Sequence, residues 1–355
     1  MHRATVELYE RQAAAYRARR TATGIERARV IGTMERRGPV LDAGCGPGIY
    51  LPALGRGAVG LDAARAMLDL ARMATPGARL IQGDLAALPF RDRVFAASWA
   101  RQSYLHLERA DLPSALGDLH RVLDVGASLD LTMLAGPGDG WRPPNDDFPG
   151  RFFAGWDAGS LADVMVGSGF EEVGVTEDGH KLIVRARRAH TIADTVGGRM
   201  RVLMCGLNPS LHAADAGVGY VGPGNRFWRA AVESHLVGRL RDPRDALARG
   251  VGMTDLVKRA TARADEIGRH EFRDGAGRVE RLVAWLRPGV VCFVGLQGYR
   301  IAVDPRATAG WQDRSFGGVA TYVMPSTSGL NAGTRYDDAL GHFRAVVDAS
   351  GSAPA

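Results

Sequence analysis

Lysine is almost absent from this 355-residue chain: Lys181 and Lys258 are its only two lysines among 45 basic side chains. Nearly all positive charge is therefore carried by arginine, which stays protonated and can bind phosphate through two parallel hydrogen bonds. Such a bias is typical of a GC-rich bacterial genome. The scarcity also limits amine chemistry, because residues 190–355 contain a single lysine.

Cysteine is scarce as well. The three examples, Cys45, Cys205 and Cys292, lie far apart in apolar or glycine-rich runs, and none belongs to a CxxC pair. This spacing indicates neither a disulfide framework nor a cysteine-based zinc site. The sequence also contains no HxE…CxxC or HExxH pattern, so we expect no bound metal.

Long apolar runs are missing too. The segment Met1–Glu7 has no signal-peptide stretch, and no run approaches the roughly 20 residues that cross a bilayer. We therefore expect a cytoplasmic protein without a membrane partner. Residues 190–355 hold 21 basic against 16 acidic side chains, and a basic half suits a phosphate-bearing partner.

The length suits two domains of ordinary size. Strand and helix signals alternate in both halves, which predicts two α/β domains in tandem. The polar run Arg185–Arg188 and the Gly197-Gly198 pair place the boundary between residues 1–188 and 189–355. Predicted helices lie within residues 5–37 and at 63–74, 112–122, 226–236, 278–286 and 337–348. Predicted strands lie at 40–41, 59–61, 79–81, 95–98, 128–134, 181–185, 201–204, 290–294 and 320–323.

A glycine-rich turn follows the first predicted strand, in Val40-Leu41-Asp42-Ala43-Gly44-Cys45-Gly46-Pro47-Gly48. Glycines there allow a ligand to approach the backbone closely. At the ends of the next two strands, Asp62 can bind both hydroxyls of a ribose, and Asp84 can accept a hydrogen bond from an adenine amino group. This arrangement resembles the class I S-adenosylmethionine-dependent methyltransferases over about residues 38–135. The resemblance implies a Rossmann-like fold and S-adenosylmethionine as the cofactor, bound by Asp42, Gly44, Gly46, Gly48, Asp62 and Asp84.

The methyl acceptor stays open. The segment Ser98–His106 lacks the Asn/Asp-Pro-Pro-aromatic signature of methyltransferases that act on base amino groups, and the chain has no Pro-Cys pair. His106 could be a general base, although a lone histidine after a strand is more often structural. The loop Ala135–Gly150 could carry substrate contacts or be a simple connection. A small molecule is the favoured acceptor, and a domain that binds the cofactor without catalysis is the alternative.

The second half carries three separated motifs. Gly206-Leu207-Asn208-Pro209-Ser210 reads as a rigid turn that presents an amide, and Tyr220 lies in the glycine-rich loop that follows. In the second motif, Asn225-Arg226-Phe227-Trp228, the asparagine can cap a helix. The third motif, Pro325–Asn331, is a loop of small residues that exposes Leu330.

These motifs are similar to those of the mismatch-specific uracil/thymine-DNA glycosylases, a branch of the uracil-DNA glycosylase superfamily. The segments Gly252–Val257 and Phe293–Gly295 also look like the family, so the resemblance spans about residues 192–347. It implies a three-layer α/β/α fold with a central parallel sheet. It also implies double-stranded DNA with a G·U or G·T mismatch as the partner, base excision repair as the process and no cofactor for this half.

The resemblance further implies roles for individual residues. Asn208 would hold the attacking water by orientation alone, since an amide does not titrate in the useful range. Tyr220 would stack on the flipped base, and backbone groups from Gly206 and Leu207 to Asn208 would read its edge. Ser328, Gly329 and Leu330 would form a wedge that enters the vacated DNA position.

Two residues depart from the family pattern, and both leave the range of excised bases open. Ser210 replaces the usual glycine, which would put a hydroxyl near the pocket wall, and Ala332 stands where close relatives place an arginine. Lys258 lies beside arginines and is expected to contact phosphate, so we expect a monofunctional enzyme that leaves an abasic site. The alternatives are a glycosylase for another damaged base, or a DNA-binding half with methyl transfer as the main chemistry.

Overall fold

The structure is a computed structural model that describes residues 2–143, 146–329, 331 and 333–351. The chain divides into two compact units, residues 1–189 and 190–355. The boundary predicted from sequence lies one residue earlier. Among the described residues, no helix is both long and apolar enough to cross a membrane.

The first unit is built on one mixed sheet. Its described helices are α1 (Arg3–Ala18), α2 (Ile25–Gly32), α3 (Leu51–Leu54), α4 (Arg65–Ala74), α5 (Leu112–Val122) and α6 (Ala158–Gly167). Its described strands are β1 (Val40–Ala43), β2 (Val59–Asp62), β3 (Arg79–Gln82), β4 (Phe95–Arg101), β5 (Leu123–Ala135), β6 (Gly155–Trp156), β7 (Phe170–Asp178) and β8 (Lys181–Arg188). They lie in the order β3-β2-β1-β4-β5-β8-β7, with β6 beside β5. The strand β8 is antiparallel to both neighbours, whereas β1 to β5 are parallel.

Helix α1 is fixed to the sheet layer through α4. The carboxylate of Glu10 accepts hydrogen bonds from the backbone N–H groups of Arg65 and Ala66, in the first turn of α4. A carboxylate is favoured there because the first N–H groups of a helix lack partners within the helix. Met67 and Ala13 add a small apolar contact between the two helices. This anchoring holds α1 next to the carboxyl ends of the central strands.

The second unit contains, within the residues described, a five-stranded sheet in the order β10-β9-β11-β13-β12. Its strands are β9 (Val202–Gly206), β10 (Val251–Asp255), β11 (Val290–Val294), β12 (Gly310–Trp311) and β13 (Ala320–Met324). The short strand β12 is antiparallel to β13, and the other pairs are parallel. Its described helices are α7 (Leu211–Ala216), α8 (Phe227–Glu233), α9 (Pro243–Ala248), α10 (Arg269–Leu286), α11 (Leu296–Ala302) and α12 (Tyr336–Ser350).

Helices cover both faces of this second sheet. Along β9, Leu203 and Cys205 belong to an apolar cluster with residues of α10 and α11. Val202 and Met204 belong to a second cluster with residues of α8 and α12. Successive strand residues point to opposite faces, so the alternation produces three layers. The predicted α/β/α architecture with a largely parallel central sheet is confirmed.

Several elements differ from the sequence-based expectation. Helix α10 begins at Arg269, nine residues before its predicted start at residue 278. The prediction began too late because Gly275 and Gly277 interrupt the apolar pattern. A Cβ atom at Gly275 would lie 1.9 Å from the carbonyl oxygen of Leu256, so glycine permits the close contact between this helix and the loop. The strand β10 was not predicted, and neither were α3, α6, α7, α9, α11, β6, β7 and β12.

Candidate functional sites

The glycine turn after β1 uses each of its three glycines differently. Gly44 has φ +81°, and a Cβ there would lie 2.2 Å from Cβ of Ser103. A Cβ at Gly48 would lie 2.8 Å from Cβ of Ala71, so this glycine lets the turn pack on α4. Gly46 has φ +51°, and its Cβ position has no atom within 4 Å. Gly46 therefore leaves open space where a ligand can approach the backbone.

The three predicted aspartates lie at the carboxyl ends of neighbouring parallel strands, β1 to β3. Asp42 is 1% exposed, and its Oδ2 has no hydrogen-bond partner. Burial and the nearby Asp62 raise the pKa of Asp42 well above its ordinary value. Asp62 accepts hydrogen bonds from the backbone N–H groups of Gly46 (2.8 Å) and Ala64 (2.9 Å). Asp84 Oδ1 accepts one from the N–H of Ala86 at 2.9 Å.

A cavity of about 430 Å³ opens beside this turn. Asp42, Gly44 and Gly46 line it, together with Tyr9 of α1 and Arg151. Gly48, Asp62 and Asp84 are not among the lining residues of this cavity. Pro143, Asp146 and Asp147 also line it, and all three belong to the predicted loop at residues 135–150. The orphaned oxygen of Asp42 and the open space at Gly46 therefore face a ligand-sized space.

His106 has a structural environment. Its Nδ1 lies 2.6 Å from the carbonyl oxygen of Phe152, and its Nε2 lies 2.9 Å from the hydroxyl of Tyr9. Burial lowers the pKa of His106 to about 4, so the ring is neutral near pH 7. A neutral ring donates from one nitrogen and accepts at the other, which fits Nδ1–H to the carbonyl and Tyr9 O–H to Nε2. Both nitrogens are thus engaged.

In the second unit, the carboxyl ends of β9 and β10 bring three groups together. Gly206 is paired in register with Asp255. A Cβ on Gly206 would lie 2.3 Å from Asp255 Oδ1 and 2.8 Å from the hydroxyl oxygen of Tyr220. Glycine at this position therefore allows the carboxyl group and the phenol to converge on the same spot. Open α/β sheets bind ligands at this edge.

Hydrogen bonds from the NH₂ group fix the side-chain amide of Asn208. Its Nδ2 donates to the carbonyl oxygens of Pro209 (3.0 Å) and Arg259 (3.1 Å) and to Thr261 Oγ1 (2.9 Å). No described residue donates to Asn208 Oδ1. Because the NH₂ group is fully used, the orientation of the amide is fixed and its oxygen stays available as an acceptor.

Ser210 has a structural role that the sequence interpretation did not include. The side chain is exposed, and its hydroxyl accepts a hydrogen bond from the backbone N–H of Ala213 at 3.2 Å. Ser210 is thus the N-cap of α7, a position that serine fills well. The side chain of Leu207 packs against α11, because a Cβ at Gly298 would lie 2.1 Å from Leu207 Cδ1. The carbonyl groups of Gly206 and Leu207 accept from the N–H groups at positions 256 and 257.

Aromatic side chains support the glycine-rich loop that carries Tyr220. The ring of Tyr220 stacks on Phe227, with centroids 3.8 Å apart and planes 6° from parallel. Trp228 Nε1 donates to the carbonyl oxygen of Gly219 at 2.8 Å. Asn225 Oδ1 accepts from the N–H of Phe227 at 3.0 Å, at the start of α8. The start of α8 therefore positions one face of Tyr220 and the loop beside it.

The predicted wedge loop is tied to the same region. The backbone N–H of Arg226 donates to the carbonyl oxygen of Thr327 at 2.9 Å, and its guanidinium donates to that of Ser328 at 3.4 Å. A Cβ on Gly329 would lie 2.8 Å from the carbonyl oxygen of Pro223, so the two loops touch there. Leu330, the residue expected to enter the DNA, and Ala332 lie outside the described residues.

The resemblance to DNA glycosylases predicts that Gly329→Val lowers the rate of base excision about tenfold, because a side chain at this contact separates the two loops and misplaces the expected wedge. Single-turnover excision from a mismatch duplex measures the effect. Gly333→Ala is the matched control, since its Cβ would meet Asn331 Oδ1 at an ordinary 3.5 Å. An equal loss of rate in both variants would show that the Gly329 contact has no special role.

Lys258 is not available for phosphate, so that expectation was wrong. Its Nζ forms an ion pair with Asp194 Oδ1 at 2.8 Å, and the lysine side chain is 11% exposed. Arg278 Nη1 binds the other oxygen of Asp194 at 2.7 Å, and Thr254 Oγ1 donates to Asp194 as well. This group of four side chains is a buried ion network beside the end of β10, and it engages the ammonium group of the lysine.

The sequence interpretation missed Asp255 as a site residue. The signal was present, because a carboxylate at the end of a buried parallel strand, next to a strand that carries a rigid turn, often faces a ligand. It was hidden because β10 was not predicted as a strand. Within the described residues, no group of three or more His, Cys, Asp or Glu side chains could hold a metal ion.

Comparison with known proteins gives a separate match for each unit. Residues 40–126 match the family model of a methyltransferase domain, and residues 194–348 match that of the uracil DNA glycosylase superfamily. A methyltransferase described as putative from Bacillus halodurans C-125 is 18% identical, with a TM-score of 0.39, over 47% of this chain and all of its own. The 1,6-didemethyltoxoflavin-N1-methyltransferase of Burkholderia thailandensis is 17% identical, with a TM-score of 0.40, over 52% of this chain and 88% of its own.

The chain is therefore a two-domain α/β protein. Its first domain has a Rossmann-like methyltransferase fold, and its second has a fold like that of the uracil DNA glycosylases, as predicted.

Proposed function

We propose that the second domain is a monofunctional DNA glycosylase that excises uracil or thymine from G·U or G·T mismatches in base excision repair. The C1′–N bond breaks, its electron pair leaves with the base, and the oxygen of a water molecule forms the new bond at C1′. The base and a proton from the water are released together with an abasic site. The partner is double-stranded DNA, in agreement with the basic balance of this half.

The observation that carries this proposal is the environment of Asn208. Its three acceptor contacts consume the NH₂ group and leave Oδ1 as the acceptor for a water proton. An amide is too weak a base to remove that proton completely, so Asn208 orients the water while the sugar carries positive charge. Tyr220 contributes a stacking surface whose other face rests on Phe227.

The absence of a free amine supports hydrolysis without strand cleavage. A lyase reaction needs an amine that forms a Schiff base with the sugar. Lys258, the single lysine of this half, is committed to the buried ion network. Excision therefore leaves an abasic site that breaks only on treatment with alkali.

The test is base excision from labelled duplexes with G·U, G·T and A·U pairs, and from single-stranded DNA with uracil. We expect product from the mismatch duplexes only after alkali treatment. Strand cleavage without alkali would contradict the monofunctional mechanism. A well-folded protein that releases neither base from any of these substrates would refute the uracil/thymine assignment.

We also propose that the first domain binds S-adenosylmethionine and transfers its methyl group to an acceptor, with a small molecule favoured. Two features fit the cofactor: the buried Asp42 Oδ2 without a partner, and the open space at Gly46. Asp42, Gly44 and Gly46 would hold it on the cavity side, and Gly48 would maintain the turn. Asp62 would accept hydrogen bonds from the ribose, and Asp84 one from the adenine. When bound, the cofactor supplies an electrophilic methyl group on a sulfonium.

We expect Asp42→Asn to weaken S-adenosylmethionine binding at least about tenfold, because the positive charge of the cofactor favours the ionised form of this carboxyl group, and an amide cannot carry the opposing charge. Equilibrium dialysis with the labelled cofactor measures the affinity. Asp69→Asn is the matched control, since Asp69 pairs with Arg65 and Arg72 on the exposed side of α4. Equal affinities for wild type and Asp42→Asn would contradict the assigned site.

A further inference from the structure

The carboxyl group of Asp255 has no hydrogen-bond or ion-pair partner among the described residues, although it lies beside Gly206 and Tyr220, two residues that the sequence places at the base. Its Oδ1 and the buried, unpartnered hydroxyl of Tyr220 lie within 3 Å of one point above Gly206. A buried hydroxyl in a folded core ordinarily has a hydrogen-bond partner, whereas that of Tyr220 has none. The half-buried carboxyl group of Asp255 faces the same small space, which indicates that a ligand supplies a partner to both groups.

Three charged groups near Asp255 affect its ionisation. Lys258 on the following loop and Arg278 on α10 favour the ionised form, and Asp194 opposes it. The remaining titratable groups are Tyr220 and Cys205, whose pKa values burial raises well above their ordinary values, so both are neutral. Burial has the largest effect, and it raises the pKa of Asp255 to about 6. The carboxyl group is therefore protonated in mild acid and ionised in mild alkali.

The position of Asp255 relative to Tyr220 defines which part of a base it would meet. A base that stacks on the free face of the Tyr220 ring would meet unpartnered polar groups at the hydroxyl end of that ring, so its far, hydrogen-bonding edge is placed there. Asp255 Oδ1 lies at that end. In uracil and thymine the far edge presents the O4 carbonyl next to the N3–H group. To bind this edge, the side chain at position 255 has to donate a hydrogen bond to O4 and accept one from N3–H.

The two forms of the carboxyl group match this edge differently. A protonated carboxyl donates its O–H to O4 and accepts from N3–H, which satisfies both groups. An ionised carboxylate only accepts, so it binds N3–H and faces the lone pairs of O4 without a proton between them. A buried acceptor–acceptor contact of this kind is unfavourable.

We infer that Asp255 determines base specificity in this domain by reading the O4/N3–H edge of the flipped base, and that only its protonated form accepts uracil or thymine. The inference rests on the proposed glycosylase function. It predicts that uracil excision is fastest in mild acid and decreases above pH 6. One proton is involved, so with a pKa of about 6 the rate falls about fiftyfold between pH 6 and pH 8, with a slope that approaches tenfold per pH unit.

The test compares wild type with Asp255→Asn in single-turnover excision from a G·U duplex between pH 5 and pH 8.5. An asparagine amide donates and accepts without titrating, so we expect a flat profile that exceeds the wild type above pH 7. Asp313→Asn is the matched control, because Asp313 is exposed, and it should keep the wild-type profile.

A binding measurement separates base reading from effects on chemistry. A G·U-type duplex with the uncleavable 2′-fluoro-2′-deoxyuridine should bind wild type more weakly as the pH rises from 6 to 8. A duplex with a tetrahydrofuran abasic analogue contains no base edge and should show no Asp255-dependent change. For Asp255→Asn, the ratio of the two affinities should stay constant with pH.

The outcomes are distinguishable. A flat wild-type profile, or the same decline in wild type and Asp255→Asn, would overturn the role of Asp255 and leave the glycosylase function intact. The role of Asp255 would be supported if Asp255→Asn excised uracil at neutral pH while the wild type did not. Excision by neither protein at any pH would refute the proposed function, and the inference with it.

Discussion

Asn208→Ala is expected to lower the rate of uracil excision by about a thousandfold, a loss comparable to that of a single well-placed polar group in other active sites. The physical reason is orientation. The three contacts of Nδ2 hold the amide in place, and alanine leaves the attacking water without its acceptor. Single-turnover kinetics on a G·U duplex measures the rate, and affinity for the abasic-analogue duplex should change little.

Two further variants at this turn sharpen the result. Asn208→Asp keeps an acceptor but brings a carboxylate against the carbonyl oxygens of Pro209 and Arg259, so it should be as inactive as alanine. Ser210→Ala should retain the wild-type rate and base range, because the hydroxyl only caps α7. It should cost about 1 kcal/mol of stability. An Asn208→Ala rate within tenfold of wild type would disprove the water-orienting role.

Asp194→Ala is expected to destabilise the second domain by about 3 to 5 kcal/mol, because it leaves Lys258 and Arg278 as buried cations without their common partner. Burial opposes ionisation of Asp194, but Arg278 and Lys258 outweigh it and keep its pKa below the ordinary value. This contribution to stability is present at neutral pH. It is lost only when the pH falls below the usual range of aspartate.

Hydrogen exchange read by mass spectrometry is the suitable measurement for this variant, because a two-domain chain does not unfold in one step. Loss of protection should be confined to residues 190–351. Asp265→Ala removes a pair with Arg263 whose side chains are 66% and 77% exposed, and it should have no measurable effect. Equal protection in Asp194→Ala and wild type would show that the network contributes little.

The sequence was most informative where hydrophobic pattern and local geometry agree. Helix α5 and strand β11 have the predicted bounds, since each is a compact apolar or amphipathic run with clear ends. The prediction missed the first nine residues of helix α10. Gly275 and Gly277 look like helix-breaking residues in the sequence, but Gly275 permits a close contact with the loop after β10. Strand β10 is short, and its Gly252 and Thr254 gave no strong strand pattern.

The candidate sites were predictable to the extent that they depend on residues in continuous motifs. The turn that carries Asn208 and the glycine turn after β1 lie where the motifs indicated, and their chemical roles stay predictions. The partners of a side chain could not be predicted, because they depend on long-range packing. Lys258 was expected to contact phosphate, but it pairs with Asp194. Ser210 was expected near the pocket wall, and its hydroxyl caps α7. Asp255 meets Gly206 only through strand register, 49 positions along the chain.

The Asn208-Pro209 pair has a consequence for chemical ageing. Exposed asparagines slowly convert to aspartate when the nitrogen of the next residue attacks the side-chain amide to form a cyclic imide. Proline has no backbone N–H, so that route is closed at Asn208. The proline thus protects the amide from the same change that Asn208→Asp would introduce, and an old molecule keeps the chemistry of a newly made one.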